Sequence, residues 1–99
     1  MNDSADKSQA GTLTFSLEVS NKMGIHARPA AMIVRIASRY DGEIWITKEE
    51  ERVNAKSIMG IMMLAAAKGT ELIFEANCSN ANGLKDELRE LFASKFQDE

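Results

Sequence analysis

A chain of 99 residues, 44% apolar and 27% charged, fits a single domain with a modest core. One cysteine and one histidine exclude a disulfide framework and a zinc site built from several Cys or His ligands, and no run approaches the roughly 20 apolar residues of a membrane span. A net charge of −3 argues against nucleic-acid binding, and the polar Met1–Gln9 lacks the apolar stretch of a signal peptide, so a cytoplasmic protein without metal or cofactor is expected.

Residues 1–11 are rich in Asp, Ser and Gly and aperiodic, which predicts a mobile extension ahead of a domain over residues 12–99. Leu13, Phe15, Leu17 and Val19 alternate with polar residues as in a half-buried strand. Ser20 to His26, with Asn21 and Gly24, predicts a loop. A first helix is expected from Ala27, with Pro29 in its first turn, where a missing N–H costs nothing. Ala30, Ile33, Val34 and Ala37 would form its core face, and Asp41-Gly42 its end.

Ile44 and Ile46 then alternate with Glu43, Trp45 and Thr47 as a second strand. Glu49 to Glu51 reads as an exposed hairpin turn and Arg52 to Ala55 as a short third strand. Ser57 is a good N-cap for a second helix over Ile58 to about Lys68, with Gly69 past its end. Glu71 to Asn77 is a fourth strand. Asn80 or Asn82 caps a last helix striped by Leu84, Leu88, Leu91 and Phe92. The order is β-α-β-β-α-β-α, and three helices against one face of an antiparallel sheet is the natural two-layer arrangement.

The segment that carries chemistry is Gly24-Ile25-His26-Ala27-Arg28-Pro29-Ala30. A histidine stands just before a helix start. The first-turn N–H groups of Ala27 and Arg28 have no acceptor within the helix and point outward with the positive end of its dipole, which makes an anion site. Arg28 adds a guanidinium that can pair with an oxyanion by charge-assisted hydrogen bonds. A neutral imidazole is a nitrogen nucleophile near neutral pH. Phosphoryl transfer asks mainly for positioning and for neutralisation of oxygen charge. The alternative is a structural or merely exposed histidine. A cationic imidazole would oppose the helix dipole, which favours a functional reason for its place.

These residues identify a resemblance. Gly24 to Ala31 resembles the phosphohistidine signature of the HPr family, the phosphocarriers of the bacterial phosphoenolpyruvate-dependent phosphotransferase system. Asn54 to Leu64, followed by Ala67-Lys68-Gly69, resembles that family's serine-site signature. The similarity runs over about residues 12–97. It implies an α+β open-faced β-sandwich, a four-stranded antiparallel sheet covered on one face by three helices.

By the same resemblance His26 takes phosphate on Nδ1 from enzyme I, Arg28 helps hold and release it, and enzyme IIA proteins accept it. The chain would then be a stoichiometric carrier and not an independent catalyst. Ser57 has two compatible readings, an N-cap and the target of an HPr kinase/phosphorylase. A sugar-transport carrier leads, and a nitrogen-type regulatory carrier is the alternative, faintly suggested by the Phe96-Gln97-Asp98-Glu99 ending. A third reading, a protein-binding module with an inert histidine, is disfavoured by the presence of Arg28.

The partner face follows from helix spacing. Arg28, Arg35 and Arg39 share a stripe suited to acidic partners, unless it is simply a solvated face. Met32 and Ile36 are expected near this stripe, off the core. In the second helix Ile61 and Leu64 should face the sheet, while Ile58, Met59 and Met62 form an apolar patch beside His26. Cys78 reads as a small buried or half-buried residue, with a reactive thiol the lesser reading. A carrier that shows one face to successive partners is expected to be a monomer.

Overall fold

The computed structural model describes residues 12–97. The expected mobile extension over residues 1–11 lies outside them, as do Asp98 and Glu99. Strands β1 (Leu13–Glu18), β2 (Glu43–Lys48), β3 (Glu51–Asn54) and β4 (Glu71–Asn77) alternate with helices α1 (Ala27–Ala37), α2 (Ile58–Met63) and α3 (Ala81–Ala93) in the expected order. The sheet is antiparallel throughout, ordered β1-β4-β2-β3.

Register puts the alternating apolar residues on one face. Phe15 lies opposite Phe74, Leu17 opposite Leu72, and Ile44 opposite Ala76. Phe15 stacks on Phe74 with ring centroids 5.2 Å apart, and Phe74 meets Phe92 of α3 edge-on at 5.9 Å. The helices add Ala30, Ile33, Ala37, Ile61, Leu64, Leu84, Leu88 and Leu91 to this core. The opposite face stays open. There Arg52 lies 4.4 Å from the ring centre of Trp45 and pairs with Glu75 at 3.2 Å.

Several boundaries differ from the sequence expectation, each for a tertiary reason. Helix α1 ends at Ala37, ahead of Asp41-Gly42. The Asp41 carboxylate instead accepts the N–H and hydroxyl of Ser79, which hold it below the usual carboxylate range. Gly42 has φ +78°, and a Cβ there would lie 2.1 Å from the Asn77 carbonyl. The hairpin turn is Glu49-Glu50, because Glu51 already pairs with Lys48.

Helix α2 stops at Met63, not near Lys68. Ala65 takes a left-handed φ of +49°, and Lys48 Nζ donates to the Leu64 carbonyl at 2.9 Å. Gly69 is therefore no helix cap. Its N–H donates to Val19 O at 2.7 Å, while Val19 N–H donates to Thr70 O at 2.8 Å, prolonging the β1–β4 ladder. Met32 and Ile36, expected off the core, pack partly against it, as does Val34. Of the two candidate caps, Asn80 is used: its side chain accepts the Gly83 N–H. Cys78 is buried, and burial raises its thiol.

Candidate functional site

The loop before α1 is held from two sides. Ile25 is buried and its N–H donates to Ala66 O at 2.9 Å. Gly24 sits at φ +75°, and a Cβ on it would come within 2.7 Å of the same carbonyl. Only glycine fits a left-handed residue pressed against backbone. The chain leaving α2 thus fixes the approach to His26.

His26 is the N-cap of α1, with extended backbone at φ −93° and ψ −165°. Its carbonyl accepts the Ala30 N–H at 3.0 Å, the first bond of the helix. N-caps usually spend their side chain on a first-turn amide. Here the half-buried imidazole makes no capping bond. Ala27 and Arg28 occupy the next two positions, whose N–H groups lack intrahelical acceptors, and Pro29 has none to offer. The first turn contains no acidic residue. Together these features set an imidazole beside the positive end of a helix, a place that favours an anion.

The structure adds a neighbour that periodicity did not suggest. Arg28 Nη1 donates to the Phe96 carbonyl at 3.3 Å. Phe96 lies in a short turn after α3, where Lys95, Phe96 and Gln97 all have positive φ. Its ring is buried against Phe92, with centroids 4.9 Å apart. No glycine or asparagine marks this turn; the one hint was an apolar Phe four residues after Phe92.

The arginine stripe is divided. Arg35 is exposed, whereas Arg39 pairs with Glu87 of α3, which also accepts the Tyr40 hydroxyl. Tyr40 first, then Arg39, hold the Glu87 carboxyl below the usual range, and Glu87 holds the Tyr40 proton above the usual phenol range.

Ser57 is the N-cap of α2, and its Oγ accepts the Gly60 N–H at 2.9 Å. Ile61 and Leu64 are buried as expected, and Ile58, Met59 and Met62 are exposed. Met63 at 68% and Met23 at 69% exposure are further exposed apolar side chains, which the spacing did not single out. Met63 closes the six-residue α2, and Met23 lies in the loop that Ala66 ties to the chain after α2. Among the described residues no cluster of His, Cys, Asp and Glu is placed to hold a metal ion, and no helix is long and apolar enough to cross a membrane.

Comparison with known proteins meets this geometry. The family described as the PTS HPr component phosphorylation site matches residues 13–94. The phosphocarrier protein HPr of Neisseria meningitidis serogroup A is 52% identical over 65 residues, which are 66% of this chain and 73% of that protein. HPr of Treponema pallidum is 43% identical over 84 residues, 85% of this chain and 96% of that one. The crystal structure of HPr-C-His from Thermoanaerobacter tengcongensis superposes with a TM-score of 0.82 at 40% identity, covering 88% of this chain and 98% of the other. With its sheet order, its helix-capping histidine and these relatives, the chain belongs to the HPr family, the phosphocarriers of the phosphotransferase system.

Proposed function

We propose that His26 is the phosphoryl acceptor, loaded by enzyme I and unloaded by enzyme IIA proteins in the cytoplasm, with the chain acting as a monomeric carrier in sugar uptake. The observation that carries this reading is the place of His26, an imidazole at the N-cap of α1 with Arg28 in the first turn and no acidic residue beside it. His26 stands where a cap stands, yet its ring makes no capping bond to the helix. In the tautomer protonated on Nε2, Nδ1 attacks phosphorus, the bond to the donor's leaving group breaks, and no proton need move. The amides of Ala27 and Arg28 and the Arg28 guanidinium face the phosphoryl oxygens. One helix end contributes only about 0.3–1 kcal/mol, so the group is held transiently and passed on.

The exposed Met59 and Met62 with Ile58 form the partner surface, flanked by the exposed Arg35 and the half-buried Met32. Flexible methionines suit a face that must fit a donor and several acceptors. Ser57 is a second, regulatory acceptor for an HPr kinase/phosphorylase. A phosphate there meets the positive end of α2 and adds nearly two negative charges next to Ile58 and Met59.

The test is incubation with enzyme I and phosphoenolpyruvate. Acid-labile, base-stable phosphate that disappears in His26→Ala supports the reading. A wild-type chain that stays unlabelled overturns it, and acid-stable phosphate would point to Ser57 instead.

A further inference from the structure

Among the buried residues of the described core, Asn21 stands out as polar: it is 0% exposed and lies five positions before His26. A buried amide in a surface loop demands hydrogen-bonding partners, since desolvating it without them is costly. Asn21 spends its backbone carbonyl and its side-chain Nδ2 on the histidine loop. Its backbone carbonyl accepts the Gly24 N–H at 3.3 Å, and its side-chain Nδ2 donates to the Gly24 carbonyl at 2.8 Å. That same Gly24 carbonyl accepts the His26 N–H at 3.1 Å. A carbonyl oxygen has two lone pairs, and here the two donors are Asn21 and His26.

The consequence is geometric. Ala66 fixes the loop from the α2 side through Ile25 N–H, and Asn21 fixes it from the β1 side through Gly24 O. Without the Asn21 amide, the Gly24 carbonyl is free to turn and the His26 N–H follows it. The cap residue's entry angle into α1 then loosens, and with it the placement of the imidazole relative to the Ala27 and Arg28 amides. Transfer between a ring nitrogen and phosphorus is sensitive to such placement: a displacement of about 1 Å can cost on the order of 100-fold in rate.

We propose that Asn21 is a positioning residue for phosphoryl transfer at His26, acting through the shared Gly24 carbonyl; this rests on His26 being the acceptor. The test compares Asn21→Asp, which keeps the side-chain volume but loses the amide donor, and Asn21→Ala, in the full chain with enzyme I and phosphoenolpyruvate. In both variants kcat should fall on the order of tenfold with KM for the carrier unchanged. Amide exchange should show the His26 N–H losing protection while the amides of β4 keep theirs. A kcat matching wild type, a change confined to KM, or a loss that merely tracks the unfolded fraction seen by circular dichroism overturns the role of Asn21. A wild-type chain that takes no phosphate overturns the acceptor reading itself, which keeps the two failures apart.

Discussion

Arg28 and Phe96 are 68 residues apart in sequence, and the guanidinium of one donates to the carbonyl of the other at 3.3 Å. The bond joins the first turn of α1 to the left-handed turn that follows α3. The guanidinium proposed to hold phosphate is therefore oriented by the turn after α3, in a setting that local sequence does not encode.

Arg28→Lys keeps the charge but loses the planar fork that can serve Phe96 O and an oxyanion together. Charge-assisted hydrogen bonds contribute roughly 1.5–3 kcal/mol, so transfer from enzyme I should slow about 10- to 100-fold. Arg28 is exposed, so urea unfolding should change by no more than about 0.5 kcal/mol. Quench-flow transfer rates set beside equilibrium denaturation check both halves.

Ser57→Ala removes the acceptor of the Gly60 N–H and should cost about 1 kcal/mol, lowering Tm by roughly 4–8 °C. Transfer at His26 should persist in that variant. Ser57→Asp restores a capping oxygen and adds charge beside Ile58 and Met59, so it should slow phosphorylation by enzyme I. Calorimetry and initial rates on the two variants separate the capping role from the regulatory one; equal rates for Asp and Ser would count against regulation.

Ala65 holds a left-handed φ of +49° where the chain turns out of α2. That conformation costs a non-glycine residue roughly 1–2 kcal/mol, while glycine adds unfolded-state entropy of about 0.5–1 kcal/mol. Ala65→Gly should thus stabilise the protein by about 0.5–1 kcal/mol, seen as a rise in Tm of roughly 3–6 °C.

The Glu87 carboxyl lies below its ordinary value, held there by Tyr40 and then Arg39. A depressed folded-state pKa contributes stability that is present above the unfolded value and lost as pH falls through the folded one. Glu87→Gln should therefore be less stable than wild type near neutral pH, with the gap closing below the usual carboxylate range. Added salt should also narrow it, because the Arg39 pair is exposed. Urea midpoints of both proteins, followed from neutral to strongly acid pH, test this.

Much of the fold was legible because side-chain alternation and helical spacing are local. Phe15 with Leu17, Ile44 with Ile46, and the stripe from Leu84 to Phe92 all lie where their periods place them. The start of α1 was legible too, since a proline suits a first turn, and His26, Arg28 and Pro29 stand around that start. What escaped was set by distant partners. Alanine is the best helix former, yet Ala65 ends α2 where Lys48 takes the Leu64 carbonyl and Ile25 takes that of Ala66. By spacing Arg39 belongs to the partner-facing stripe, yet it pairs with Glu87 of α3.

Because β4 lies between β1 and β2, Phe15 has no strand neighbour until residues 71–77 have been synthesised. A ribosome must carry synthesis through β4 before β1 can settle into the sheet. Fragments cut anywhere upstream of Glu71 leave the two halves of the protein without a common backbone seam, so partial translation products should be open to proteases rather than half-active.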